Sequence, residues 1–233
     1  MPNSATPDKA TQEPAASNNV TRRPLLPQPL ASALLLAALA LGTALLLARV
    51  DAISRFQVER NEQAWILERL SSLLRPIVYD NDLLEDRIVV RAPDLLGTAR
   101  PVPIYRVRHG NTPRAVVIQT VAPDGYRGPI EILVAIAIDG KLIGVQVIRH
   151  QETPGLGDAF ERDRGWLRAF AGRSLEQPPQ QRWSVRPDGG EFDAFTGATV
   201  TPRAIVKAVR RALEYYRANR QRIFADAAES SRR

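Results

Sequence analysis

From residue 30 to residue 48 the chain reads LASALLLAALALGTALLLA, nineteen positions without a charged side chain. A run of that length is close to the roughly 20 residues a helix needs to cross a hydrocarbon core. Beyond it the pattern breaks into shorter periods. Within residues 56–75, Ile66, Leu67, Leu70, Leu73 and Leu74 recur at helical spacing and predict an amphipathic helix. Arg75-Pro76 ends it, because the residue before proline is driven out of the helical region. Short apolar or alternating runs at 88–90, 104–107 and 115–121 then predict strands bounded by Pro, Gly and Asn. A longer apolar run at 130–138 turns through Asp139-Gly140 into another at 142–148, a strong hairpin pattern. The apolar character of 130–138, interrupted only by Glu131, marks a strand buried on both faces. Phe160, Trp166, Leu167 and Phe170 suggest one or two helical turns or a short helix, and residues 183–185 leave room for one more strand. From Pro202 the period is helical again, with Ile205, Ala208, Val209, Ala212, Leu213 and Tyr216 on one face.

Sheet first and helices after predict an α+β fold: a single N-terminal transmembrane helix, then a mostly antiparallel sheet with flanking helices. The expected divisions are a disordered tail over 1–29, an anchor over 30–48 and a linker with the amphipathic helix over 49–75. A folded domain over 76–224 and a frayed end over 225–233 complete the chain. The apolar run is longer than the 7–15 residues of a cleaved signal peptide and follows a long polar leader, which favours an uncleaved anchor. Arg22 and Arg23 before the run are opposed by Arg49, Arg55 and Arg60 after it, so the charges leave its orientation open.

Composition narrows the chemistry. The 233 residues include no cysteine, which removes disulfides, thiolate zinc sites and cysteine-ligated iron–sulfur clusters from this chain. Only two histidines are present, His109 and His150, too few for a histidine-rich metal site. The net charge of +7 is spread along the chain, and no nucleic-acid module with interleaved aromatics accompanies it. A solvated basic surface is the reading, and nucleic acid is not an expected partner.

Two stretches carry candidate chemistry. FTGATVTP, residues 195–202, sets Thr196, Thr199 and Thr201 around Gly197 and Ala198 before a helix. Thr201 suits an N-cap and Pro202 the first helical position. The free N–H groups and positive dipole of such an end suit an anion, phosphate especially, and Arg203 and Lys207 add positive charge nearby. Local chemistry leaves two readings open, a capped helix start alone or a phosphate-like pocket that Thr199 reaches. No base is adjacent to make a threonine a nucleophile, so Thr199 reads as modified sooner than catalytic. The second stretch, HQETPGLGD, spans residues 150–158. Its glycines permit positive φ or close backbone approach, but it matches neither a Walker loop nor a dinucleotide fingerprint. His150 and Glu152 form a possible acid/base pair that lacks a third orienting group.

Together, GKLIGVQVIRHQETPGLGD and GGEFDAFTGATVTPRAIVKAV resemble the G-type component of the Rnf (Rsx) ion-translocating electron transport complex. They are similar, more distantly, to the C-type component of the sodium-pumping NADH:quinone reductase. The likeness covers about residues 30–222 and leaves out the N-terminal tail. It implies an FMN-binding domain whose flavin phosphate is esterified to the last threonine of Asp-x-x-Ser/Thr-Gly-Ala-Thr. Here Asp193, Thr196, Gly197 and Ala198 fill that motif and Thr199 is the implied acceptor. Glu152, Thr153, Pro154, Gly155, Leu156 and Gly157 match the segment expected near the isoalloxazine ring; Thr201 and Lys207 complete the candidate FMN-binding set. The resemblance also implies a flavin transferase using FAD during maturation and the other Rnf/Rsx subunits as working partners. It places the protein in the bacterial inner membrane, single-pass, with the main domain periplasmic. The expected role is a membrane-bound electron-transfer subunit with covalent FMN, in a complex coupling electron transfer to ion translocation. No catalytic residue and no metal ligand is assigned. Two rivals are a membrane-anchored scaffold without a redox role and a free-standing flavin reductase. The missing nucleotide fingerprint speaks against the reductase.

Overall fold

The computed structural model describes residues 28–155 and 157–225. Nearly all of the expected N-terminal tail, Leu156 and residues 226–233 lie outside them. The chain divides into two compact units, Met1–Gln57 and Val58–Arg233.

The first helix, α1, runs from Gln28 to Leu73 and crosses that division. Its segment Leu30–Asp51 spans 22 residues with a mean hydropathy of 2.4, long and apolar enough to cross a membrane. Its one threonine, Thr43, turns its hydroxyl back to the carbonyls of Leu39 and Ala40 at 3.0 and 2.9 Å. That is how an apolar helix absorbs a polar side chain.

In the second unit, five strands form an antiparallel meander in the order β1-β2-β3-β4-β5. They are β1 Arg87–Val90, β2 Val102–His109, β3 Thr112–Ala122, β4 Ile130–Ala137 and β5 Leu142–Arg149. All five predicted strands are present, each within a few residues of its expected limits. A short helix, α2 (Pro93–Leu96), links β1 to β2 and was not expected. Two more short helices, α3 (Ala159–Arg162) and α4 (Arg164–Arg168), supply the helical turns expected between residues 160 and 170. Residues 183–185 do not make a strand. A 3-10 turn over Gln180–Arg182 precedes them, and only Val185 forms a single bridge, with Phe192. Trp183 is buried there, its indole N–H shared between the carbonyls of Ser174 and Pro178. Its apolar signal came from burial in a loop and not from a ladder. The last helix, α5, runs from Val200 to Phe224.

Period-two alternation sorts the sheet into two cores. Ile104, Val116, Ile118, Ile132, Val134 and Ile136 face α5, together with Ile205, Val209, Leu213 and Tyr216. Tyr105, Val107, Ala115, Val117, Leu133 and Ala135 face the other way, with Leu70 and Leu74. Strand β4 therefore has apolar cover on both faces, as its sequence required. Of the predicted helical face at residues 66–74, Leu70 and Leu74 are fully buried and Ile66 and Leu73 pack beside them, while Leu67 stays exposed. Each fully buried leucine or isoleucine contributes about 1.5–3 kcal/mol. Filling both faces is what makes the sheet a rigid support for its loops.

The register sets where those loops meet. Ala122 pairs with Ile130 and Glu131 with Arg149, so the β3–β4 turn and the chain leaving β5 share one end of the sheet.

Candidate functional site

Glu152 lies three residues beyond β5 and is buried, with 4% of its surface exposed. One carboxylate oxygen accepts the hydroxyl hydrogen of Thr201 at 2.7 Å, and the other accepts the backbone N–H of Arg127 at 3.2 Å. One side chain thus joins the glycine loop, the first turn of α5 and the β3–β4 turn. Gly157 makes room for it, since a Cβ there would lie 2.6 Å from one carboxylate oxygen; a Cβ on Gly125 would lie 2.9 Å from the other, but meets the Gly128 carbonyl oxygen first, at 2.2 Å. The loop itself closes through Gly157 N–H to the carbonyl of Thr153 at 3.0 Å. Gly155 N–H is bound by Asp158 at 2.8 Å, and its φ of +83° favours glycine. Pro154 and Gly155 are exposed, and Leu156 lies outside the described residues.

His150 and Glu152 are not an acid/base pair. The backbone N–H of Glu152 donates to Nδ1 of His150 at 3.2 Å, which leaves Nε2 to face Glu161 at 3.0 Å. The ring also stands edge-on to Phe160, with centroids 5.1 Å apart. Both nitrogens are engaged away from the carboxylate, so His150 is a loop brace.

The threonine segment forms a turn. Ala198 N–H donates to the carbonyl of Phe195 at 3.0 Å, and Gly197 at the third position has φ +78°, the requirement of a type II turn. Thr196 and Gly197 are exposed and Ala198 is half-buried. Asp193, at the head of the motif, is held by both ends. Its carbonyl accepts the indole N–H of Trp166 at 2.8 Å, and its exposed carboxylate pairs with Arg186 at 3.1 Å. The ring of Phe195 leans on Trp166, 5.2 Å between centroids.

The helix start corrects one expectation. Thr201 is not the N-cap: α5 begins at Val200, and Thr199 occupies the cap position. The hydroxyl of Thr201 is committed to Glu152, and the residue is 1% exposed. Thr199 has φ −74° and ψ −22°, and its hydroxyl caps no helix amide. A capping side chain normally sits on extended backbone, from which it reaches the second or third amide. Helical backbone denies Thr199 that reach. Among the described residues, the backbone N–H groups of Val200 and Thr201 have no hydrogen-bond acceptor. A half-buried threonine with an uncommitted hydroxyl, beside two open amides at the positive end of a 25-residue helix, fits an ester-linked phosphate.

Arg203 and Lys207 sit along α5, each matched by a carboxylate. Arg203 grips Asp188 through two bonds of 2.6 and 2.8 Å. That hydrogen bonding holds the Asp188 carboxyl below its usual range and raises the guanidinium. Lys207 pairs with Asp124, whose carboxyl is lowered by the same kind of bond. The positive charge expected beside the cap is thus largely spent pinning the 186–189 and 123–128 segments to α5. The β3–β4 turn went unnoticed in the sequence, although Asp124 and Gly125 form a recognisable turn pair. A groove of about 790 Å³ lies elsewhere, against α1, lined by Trp65, Ile66, Tyr105 and Arg149 among others. Burial there pushes the Tyr105 phenol up, opposed by the charge of Arg87.

Residues 125–214 match the model of the FMN-binding domain family. The chain is 43% identical over 206 residues to the G-type component of the ion-translocating oxidoreductase complex of Pseudomonas aeruginosa, covering 88% of this chain and 94% of that protein. It is 40% identical over 193 residues to the protein of the same name from Vibrio atlanticus, covering 82% and 92%. Among solved structures, the crystal structure of Shewanella oneidensis NqrC aligns with a TM-score of 0.45 and 24% identity, over 63% of this chain and 76% of that one.

Proposed function

The chain belongs to the family of G-type components of ion-translocating oxidoreductase complexes, and from that premise we propose that it is a membrane-anchored electron-transfer protein with FMN esterified to Thr199. Bound flavin supplies a carrier for one or two electrons, and the protein sets its position and potential. The observation that carries the reading is the state of Thr199: it stands at the head of α5 with a hydroxyl that caps nothing. Every specified position of the motif from Asp193 to Thr199 surrounds it, and the Glu152–Thr201 bond brings the glycine loop against the same helix turn.

In this proposal attachment uses FAD and a flavin transferase. The threonine oxygen attacks the FMN phosphorus, the pyrophosphate bond breaks, AMP leaves, and the hydroxyl proton passes to solvent or to the transferase. The exposed Thr196-Gly197 turn leaves the acceptor open to that enzyme. The amides of Val200 and Thr201 would be the donors that hold the charge remaining on the phosphodiester. The segment Leu30–Asp51 is the anchor in the bacterial inner membrane, residues 76–224 are the flavin domain, and that domain faces the periplasm. Other subunits of the complex exchange electrons with the flavin and move the ion.

The test is covalent flavin itself. The full chain, co-expressed with a flavin transferase, is run on a denaturing gel under ultraviolet light. A fluorescent band in wild type that vanishes in Thr199→Ala is the expected result, with an FMN adduct on the Thr199 peptide by mass spectrometry. A wild-type chain without fluorescence sinks the reading and leaves a scaffold role in its place.

A further inference from the structure

Glu152 is held in an unusual way for a carboxylate that is almost fully buried. No lysine, arginine or histidine side chain forms an ion pair with it among the described residues. Its two oxygens are served by neutral donors, the hydroxyl of Thr201 and the N–H of Arg127. The remaining compensation is the positive end of α5, which begins one residue before Thr201. A buried acid is expensive unless paired, and an uncharged amide could meet the Thr201 hydroxyl and the Arg127 N–H without a buried charge. Gly157 is kept small against it: the three atoms nearest to an added Cβ there all belong to Glu152.

We propose that Glu152 is a positioning residue whose negative charge, paired with no cationic side chain among the described residues, acts on the flavin by lowering its reduction potential, and not through its shape alone. The inference rests on the attachment at Thr199 proposed above. A flavin tethered there starts two residues from the hydroxyl that Glu152 binds. Reduction adds negative charge to the flavin, and a fixed negative charge in a partly desolvated site opposes that step. Thr201 has a different part: it holds the carboxylate in place and carries no charge of its own. The two functions are therefore separable by substitution. Glu152→Gln removes the charge and keeps the size; Thr201→Val keeps the charge and removes the tether.

The experiment uses the full chain co-expressed with a flavin transferase and compares wild type, Glu152→Gln and Thr201→Val. Loading is read from the fluorescent band and potential from a spectroelectrochemical titration. Glu152→Gln is expected to carry flavin and to raise the reduced-to-oxidised ratio at the wild-type midpoint about tenfold, about 30 mV for a two-electron couple. Thr201→Val is expected to shift the midpoint by less than half of that. An unchanged midpoint in Glu152→Gln overturns the proposal. An equal shift in both variants also overturns it, because loosening and not charge would then be the cause. Loss of the band in Glu152→Gln alone overturns it as well, since the carboxylate would then serve attachment. Absence of flavin from wild type is a different failure, that of the attachment at Thr199.

Discussion

Thr201 and Glu152, 49 positions apart in sequence, share a buried hydrogen bond of 2.7 Å. It is the one side-chain hydrogen bond between the two motifs among the described residues, and it reassigns both partners. The threonine that looked like a helix cap is a donor to a buried acid. The acid that looked like half of a histidine pair is a three-way tie between loop, turn and helix.

Replacing Thr201 by valine keeps the shape and deletes the donor. One oxygen of Glu152 is then left buried without its hydroxyl partner. Losing a hydrogen bond to a charged group costs about 1.5–3 kcal/mol. A domain of this size should lose about 4–10 °C of melting temperature, read by circular dichroism of the detergent-solubilised chain. A melting temperature within 1 °C or so of wild type would mean that solvent or a neighbour replaces the donor.

Gly155 and Gly157 are both glycines for different reasons, and alanine should tell them apart. Alanine at Gly155 meets open space and suffers only its φ of +83°, a cost of about 1–2 kcal/mol. At Gly157 the added Cβ stands 3.0 Å from the Glu152 Cβ as well as 2.6 Å from its oxygen, so the acid must move. Gly157→Ala should therefore be the more damaging. Much of its effect should disappear on a Glu152→Ala background, while the effect of Gly155→Ala persists there. A double-mutant cycle by thermal melting measures both couplings. Strict additivity between Gly157→Ala and Glu152→Ala would contradict the contact.

Much of this fold could be read from the chain because its strands are short, alternating and consecutive. Residues 130–138 announced two-sided burial, and Asp139-Gly140 announced the turn after them. What escaped was set by tertiary contact. Pro93–Leu96 is too short to show a helical period. Trp183 signalled a strand because burial in a loop and burial in a sheet draw on the same residues. At the site, Asp193 through Thr199 and the glycine loop were legible as motifs. The third segment was not, because Asp124 and Arg127 look like any polar hairpin turn until Glu152 and Lys207 are seen against them. The position of the helix start shifted by two residues for the same reason: Thr201 is an excellent cap by type, and only its buried partner withdraws it from that duty.

The Asp124–Lys207 pair predicts an acid dependence. Hydrogen bonding to Lys207 holds the Asp124 carboxyl down, burial opposes it, and the charges of Lys207 and Arg211 add to the lowering. A carboxyl depressed by folding contributes stability above its unfolded value near 3.9 and loses it as pH falls through the lower folded value. Wild type should thus exceed Asp124→Asn in melting temperature at about pH 5 and above, and the two should converge toward pH 2–3. The pair is largely exposed, so the gap should be small and shrink in high salt. A gap that widens on acidification would reverse the assignment.

The two ends of Asp193 predict opposite outcomes for two substitutions. Its carbonyl is held by the buried indole of Trp166, and the neighbouring Phe195 ring leans on the same indole. Trp166→Phe removes that donor and part of the ring that steadies the turn, at a cost of about 1–2 kcal/mol. The carboxylate of Asp193 meets Arg186 at the surface, both side chains more than 60% exposed, and such pairs are worth about 0–1 kcal/mol. Asp193→Asn should therefore melt within about 0.5 kcal/mol of wild type. If Asp193 serves the attachment of flavin at Thr199, Asp193→Asn should still lose most of its in-gel fluorescence, a loss that stability cannot explain. Trp166→Phe should lose stability first and fluorescence only in proportion to the folded fraction. Full loading of Asp193→Asn would remove the carboxylate from the attachment step and leave Thr199, with its uncapping hydroxyl, to carry the site.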